Sequence, residues 1–381
     1  MAVGMSTGLL CPSGAPLRLV IVTNMPAPYR VPVFDRVAAT PGMELHVLYA
    51  TRAEADRRWD PPPLRHGHTV LPGWALPLGG RFIHLNPGIG AALRRLQPQV
   101  VLTTGYNPTH LLAWRLARRH GLPHVAMTDG TLASEARLGP LHRALRRHVL
   151  ARTASAVVAS DGGARLMAQY GVPADRVHRS VLCAHAGLEW QAPGPAGRDI
   201  DLLFAGRLVA VKSPGFAVEV AAGVARRLGR RVRLAMLGSG PLADAVRQLA
   251  ARHEDVVDTV LAGHVAQGDL PGWYGRARVF LFPTRWDPWG VVANEACESG
   301  VPVLVSPHAG VAGELVRDFE GGRVLPLDLP AWVEAAASLL SDDALHHHMA
   351  AAARRAVQPF HADAAAAGIV RAARQAAGRA A

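Results

Sequence analysis

The stretch Val279–Ser306, VFLFPTRWDPWGVVANEACESGVPVLVS, sets the architecture of the chain. Val279–Pro283 is an apolar run of strand length, and residues 284–289, rich in Pro and Trp, form a turn. Gly290–Ser299 suits a helix, Gly300 stands at its C′ position, and Val301–Ser306 is a second buried-type strand. Two carboxylates frame the helix start: Asp287 in the loop and Glu295 within the first two turns. A helix N-terminus offers unpaired N–H groups and the positive end of a dipole, so an anion is held well there. Phosphates plus two hydroxyl-binding carboxylates suggest a sugar nucleotide. Taken alone, the same acids read equally as an N-cap and a first-turn acid favoured by the dipole.

Working outward, the second half alternates strand and helix. Strands fall near 201–205, 232–237, 260–262, 279–283, 302–306 and 323–325. Helices fall near 214–228, 241–252, 269–275, 290–299, 312–317, 329–341 and 343–356. That alternation implies a parallel sheet covered on both faces. Three further motifs follow its strands: Gly206-Arg207-Leu-Val-Ala-Val-Lys212, Gly238-Ser-Gly240-Pro and Leu261-Ala-Gly-His264-Val265. The chain has 40 Arg and a single Lys, and that Lys is Lys212 inside a motif.

The spacing of Asp287 and Glu295, followed by Gly300-Val301-Pro302-Val303, resembles the E-x7-E segment of the retaining, GT-B-type glycosyltransferases of the "group 1" family. The resemblance covers residues 201–340 well and the first half loosely. It implies two Rossmann-like domains facing a cleft, with transfer of a sugar from a nucleotide-diphosphate donor and retention of configuration. It assigns Asp287 to the donor sugar hydroxyls, Glu295 to the ribose, and the backbone of Trp289, Gly290, Val291 and Val292 between them to the diphosphate. Arg207 and Lys212, after Gly206, would hold the departing diphosphate. Fixed cations there speed the reaction because the leaving group gains negative charge. No metal or other cofactor is then expected. Gly238 and Gly240 would let backbone approach the ligand, and His264 and Val265 would line the nucleobase pocket. The family usually has Glu at the position of Asp287; one methylene less bears on which sugar is taken.

In the first half, Leu17–Thr23 is a strand running into the stiff loop Asn24-Met-Pro-Ala-Pro-Tyr29-Arg30, then a helix from about Val33. Relatives often carry a Gly-rich loop here. Asn24, Tyr29 and Arg30 are acceptor-side candidates, Arg30 being equally an ordinary surface arginine. Glu44–Tyr49 is a strand, 52–90 reads as irregular, and Val100–Thr104 is a strand leaving through Gly105-Tyr106-Asn107-Pro108. Tyr106 and Asn107 are acceptor-side candidates on that turn, and a helix over about 109–120 follows. Val125–Met127 ends at Thr128-Asp129-Gly130, which places Asp129 at a strand's carboxyl end as a catalytic candidate or a plain turn aspartate. Strand Ala156–Ser160 and a helix to Tyr170 complete the half.

These elements divide the chain into a loose tail 1–16, a first domain 17–188, a linker 189–200, a second domain 201–358 and a helical tail 359–381 that the family packs back on the first domain. Length fits two domains of ordinary size. No apolar run is long enough to span a bilayer, and the first residues lack a signal-peptide pattern. Three cysteines, Cys11, Cys183 and Cys297, fit no metal spacing and suit a reduced cytoplasmic setting. The run His346–His348 reads as a surface cluster.

Charge is uneven: residues 1–190 hold 21 Arg and 10 acids, hence +11, while 191–381 come to +1. Arg137–Arg152 is a basic amphipathic helix, with Leu138, Leu141, Leu145 and Val149 as its stripe and Arg143, Arg146, Arg147 and His148 around it. It is compatible with an anionic membrane surface and equally with packing on its own domain. Three function classes compete. A glycosidase needs carboxyls ~5–10 Å apart, whereas residues eight positions apart on a helix stand ~12 Å apart. A nucleic-acid binder would interleave aromatics with charge or carry a known module, and neither is present. Glycosyl transfer is the expectation, in envelope glycan, glycolipid or secondary-metabolite synthesis, with a basic half that approaches a membrane or a lipid-linked hydroxyl acceptor. A non-enzymatic basic protein bound to a polyanion is the alternative.

Overall fold

The computed structural model describes residues 15–54, 63–78, 81–136, 138–184, 188–190 and 197–379. Nearly all of the 1–16 tail with Cys11, residues Trp59 and Arg137, and most of the 189–200 linker lie outside the described residues.

The strands are β1 Leu17–Thr23, β2 Met43–Tyr49, β3 Gly67–Val70, β4 Trp74–Leu78, β5 Arg81–Leu85, β6 Val100–Thr103, β7 His124–Thr128, β8 Ser155–Val158 and β9 Val177–Arg179. In the second half they are β10 Ile200–Ala205, β11 Val232–Leu237, β12 Val257–Gly263, β13 Ala277–Phe282, β14 Val303–Val305, β15 Arg317–Asp318 and β16 Gly321–Val324. Two seven-stranded sheets result, ordered β3-β2-β1-β6-β7-β8-β9 and β12-β11-β10-β13-β14-β16-β15, and all their pairings are parallel. This is the expected pair of Rossmann-like domains of the GT-B fold.

Parallel strands need crossover helices, so both sheet faces are covered and the strands read as nearly unbroken apolar runs. In the first domain, Val31–Ala38 and Ala362–Ala376 cover one face, and Ile89–Leu96 and Pro108–Arg119 the other. In the second, Pro214–Leu228 and Leu329–Ser341 cover one face and Val291–Glu298 the other. The helix Ala362–Ala376 follows the second domain in sequence yet lies against β8 and β9 of the first, where Ser155 Oγ donates to Ala372 O at 2.9 Å.

The strand order reverses direction between β1 and β6 and again between β10 and β13. Loops leaving adjacent strands diverge at such a point and open a crevice at the carboxyl ends. The domains meet beside it. Glu314 accepts from the Asp161 amide at 2.8 Å and pairs with Arg179 at 2.8 Å, and Asn294 donates to Leu182 O at 3.0 Å.

Four sequence expectations are corrected. The 52–90 region is not irregular throughout: β3 adds a polar edge strand, β4 and β5 form a separate antiparallel ribbon, and Ile89 opens a helix. Their patterns are short and exposed, so no buried apolar run marked them. Residues 312–316 are turns with isolated bridges rather than a helix, Gly313 adopting φ 80°, and Arg317 opens β15. Arg30 is not a surface residue but 7% exposed. His346 is buried at 4% exposure, its Nε2 2.9 Å from Arg278 O, and does not belong to a surface cluster. The basic helix spans Pro140–Leu150; Val149 and Leu150 are buried, and Arg146 turns inward onto Glu135. Among the described residues, no helix is long and apolar enough to cross a membrane.

Candidate active site

Three turns at the carboxyl ends of β10, β11 and β12 lie backbone against backbone. The Gly206 amide donates to Leu237 O at 2.9 Å, that of Leu208 to Ser239 O at 2.9 Å, and that of Gly238 to Gly263 O at 2.6 Å. A Cβ at Gly238 would stand 2.0 Å from Gly206 O and one at Gly240 2.5 Å from Leu208 O, so only glycine fits. Gly206, Gly238 and Gly240 thus pack the floor of the second-domain crevice. Beside them, Lys212 pairs with Asp287 across the point where the strand order reverses. Its loop is tied to the next one, since Val211 O accepts from the Arg285 amide at 2.7 Å and from Thr284 Oγ1 at 3.0 Å. Lys212 also lies 5.5 Å from the Phe282 ring. Arg207 is exposed on the same loop, His264 is exposed and Val265 is half-buried on the turn after β12.

Asp287 is not the N-cap of the following helix. Its Oδ1 accepts from the Trp289 amide at 3.0 Å, and the cap is Gly290, at φ 107°. Trp289 is buried, and Val291 and Val292 are half-buried at the first helical turn. Glu295 is likewise not a solvated first-turn acid. It is 8% exposed and accepts from Tyr274 OH at 2.8 Å. Burial pushes its carboxyl up to about 7, against the lowering effect of the Tyr274 bond. One helix therefore carries a crevice-facing turn, a buried acid at its second turn, and Asn294 beside it reaching the other domain.

The first-domain candidates also gather. Thr23, Asn24, Tyr29, Arg30, Glu54 and Asp129 line a cavity of about 170 Å³ at the ends of β1 and β7. Arg30 pairs there with Asp129, and its Nη1 donates to Ser180 Oγ at 3.4 Å. Asn107 Nδ2 is 3.3 Å from Asn24 Oδ1 and 3.0 Å from His84 Nδ1, so the two turns touch. Tyr106 packs its ring under the Arg146 guanidinium at 4.5 Å and is set apart from the cavity lining. Sequence reasoning missed Glu54 and His84, 3.3 Å apart and both buried, because neither belongs to a motif. It also missed Tyr274 and Asn294; the second carried a signal, an Asn between Ala293 and Glu295 on an otherwise apolar helix face.

The chemistry of such a crevice is anion binding by cations and helix amides, hydroxyl binding by carboxylates, and an adjoining polar cavity for a second molecule. Among the described residues there is no cluster of three His, Cys, Asp or Glu able to hold a metal. Cys183 and Cys297 are both buried as free thiols, and burial raises Cys183 to about 11.

Residues 189–356 match the model of "Glycosyl transferases group 1" and residues 36–179 that of "Glycosyltransferase Family 4". The chain is 34% identical over 203 residues to a D-inositol 3-phosphate glycosyltransferase of Xylanimonas cellulosilytica, covering 52% of this chain and 46% of that protein. It is 27% identical over 299 residues to a glycogen synthase of Mycobacterium tuberculosis, covering 74% and 70%. The chain thus spans about half the length of the first of these relatives and more of the second. Among solved structures it superposes on sucrose-phosphate synthase from Thermosynechococcus elongatus with TM-score 0.71 at 17% identity, covering 94% and 98%. It superposes on Anabaena HepE in complex with UDP with TM-score 0.73 at 13% identity, covering 93% and 99%.

Proposed function

We propose that this chain, whose residues 189–356 match the "Glycosyl transferases group 1" model, is a glycosyltransferase that moves a sugar from a nucleotide-diphosphate donor to a hydroxyl acceptor with retention of configuration. The Lys212–Asp287 pair carries this reading, since it puts a cation and a hydroxyl-binding carboxylate together at the crevice beside the Gly290 helix start. HepE, of the same fold, was solved with UDP, which favours a uridine nucleotide as the first donor to try. Arg207, Lys212 and the Gly290 amide end supply positive charge where the diphosphate departs. Asp287 contacts the donor sugar and Glu295 the ribose. Asp129, paired with Arg30, lies on the acceptor side with Asn24, Tyr29 and Asn107.

The acceptor hydroxyl attacks from the face the leaving group departs, and the departing phosphate takes the proton. Transfer proceeds without a divalent metal, the protein's own cations doing that work. Acceptors of cell-envelope glycan, glycolipid or secondary-metabolite synthesis suit the polar first-domain cavity.

A thermal-shift screen of sugar nucleotides and nucleoside diphosphates, followed by product analysis with the best donor, tests this. A ligand at 100 times its Kd should add ~2.7 kcal/mol of stability. If no sugar nucleotide or nucleoside diphosphate raises the melting temperature, the proposal fails. Activity lost in a chelator and restored by magnesium or manganese would remove the metal-free part alone.

A further inference from the structure

The ribbon of β4 and β5 stands apart from both seven-stranded sheets. Among the described residues seven large hydrophobic side chains are exposed, and four of them are here: Trp74 at 59%, Leu76 at 54%, Leu78 at 64% and Leu85 at 39%. Trp74 pairs with Leu85 and Leu76 with Ile83. Opposed residues of an antiparallel pair, and alternate residues along each strand, share a face. One face therefore carries Trp74, Leu76, Leu78, Ile83 and Leu85, with Arg81 in register opposite Leu78 at its end. The other carries His84, which is wholly buried and contacts Asn107. His84 fixes β5 to the domain, while all five residues of β4 are exposed.

We propose that this face is a membrane-docking surface that enters the interfacial layer of an anionic bilayer. The size of the face argues for lipid over protein. Its partly exposed side chains offer on the order of a few hundred Å² of accessible surface, below the ~800 Å² per partner of a stable protein interface. Pro77 gives no amide to a strand added along the ribbon, which disfavours pairing with another chain. Tryptophan suits the bilayer interface, where its ring is half apolar and its N–H stays wet.

Charge points the same way. The half of the chain that bears the ribbon has a net charge of +11, and Arg143 and Arg147 are exposed on the helix Pro140–Leu150 beside Leu141, itself 80% exposed. A few shallow apolar anchors hold only reversibly, and basic groups supply the second attraction. The surface needs no step of glycosyl transfer, so its test is independent of activity.

Sedimentation with phosphatidylcholine vesicles, with and without phosphatidylglycerol, tests the proposal. The wild type should bind the anionic vesicles and bind less at high salt, where the Debye length shortens to ~3 Å. The triple variant Trp74→Thr, Leu76→Thr, Leu78→Thr should bind at least ~10-fold less at every salt concentration with a nearly unchanged melting temperature, since more than half of each of those side chains already faces water. Arg143→Gln with Arg147→Gln should weaken binding at low salt and remove part of the salt dependence. Tryptophan fluorescence should shift to the blue on vesicle binding in the wild type and lose that shift in Trp74→Phe. A wild type that stays in the supernatant at low salt overturns the proposal. So does a triple variant that binds as well, a blue shift that survives Trp74→Phe, or a wild-type dimer that the triple substitution splits without affecting vesicle binding.

Discussion

A carboxyl at 8% exposure prefers to keep its proton, and burial raises Glu295 from 4.5 to about 7 against the lowering effect of the Tyr274 bond. The folded chain thus binds a proton that the unfolded chain releases earlier. The corresponding stability is fully present below about pH 4.5 and is lost as the pH rises through about 7. Glu295→Gln should flatten that fall, seen as a melting temperature that declines less than the wild type's between pH 5 and 7; equal declines would remove Glu295 as the cause. On the proposed ribose role, the bound hydroxyls favour the ionised carboxyl, so nucleoside diphosphate should bind more tightly as the pH rises through 7. The ligand's own ionisation persists in Glu295→Gln, and the difference between the two titrations isolates this residue. Lys212→Ala should keep the fold, since its side chain is partly exposed, and lower turnover by ~10²-fold or more through lost charge on the leaving diphosphate. A folded Lys212→Ala enzyme with wild-type turnover would end the phosphate role.

At the scale of an element, the helix Val291–Glu298 depends on its first residue outside the helix. Gly290 adopts φ 107°, and a Cβ there would meet Phe282 at 2.2 Å. Gly290→Ala carries a backbone penalty of ~1–3 kcal/mol plus the clash, so the melting temperature should fall by ~4–10 °C in a domain of this size. Gly268 has an ordinary φ and open space around its Cβ position, so Gly268→Ala should leave the melting temperature nearly unchanged. Equal effects of the two substitutions would show that the helix start is not the constraint. This element was legible in sequence because its apolar flanks, Gly290 and Gly300 all mark it. The 312–317 stretch was misjudged because its apolar residues, Val311, Leu315 and Val316, have helical spacing but pack in turns against the second-domain core.

At the scale of the whole molecule, the C-terminal helix joins what the sequence separates. Ala362, Ala365, Ala366, Ile369, Val370, Ala372 and Ala373 bury a face against the first sheet. A Cβ at Gly368 would stand 1.6 Å from Arg179 O, so this helix approaches β9 more closely than any side chain allows. Gly368→Leu should undock it, lowering the melting temperature and exposing apolar surface to a hydrophobic dye. Nucleoside diphosphate should still raise the melting temperature of the variant, because the loops proposed to hold the donor lie in the other domain. Loss of that response would mean that the tail also shapes the donor site. Phe360, just before this helix, packs its ring against that of Trp289 at 5.3 Å, so the start of the tail touches the turn that leads into the helix Val291–Glu298.

The chain by itself determined two parallel α/β domains, because buried parallel strands are apolar runs and crossover helices leave Gly and Pro at their ends. It likewise determined where the loop after β11 turns, because close backbone approach demands glycine at Gly238 and Gly240 whatever the rest of the fold does. Tertiary structure decided the partners. Asp287 finds Lys212 across 75 positions and Arg30 finds Asp129 across 99, and no local pattern encodes a pairing set by where two strands lie in a sheet. It decided the burial of Arg30, Glu295 and His346, since solvent exposure belongs to the assembled surface. It also decided the exposure of Trp74–Leu78, an apolar stretch that only the placement of the ribbon leaves facing water.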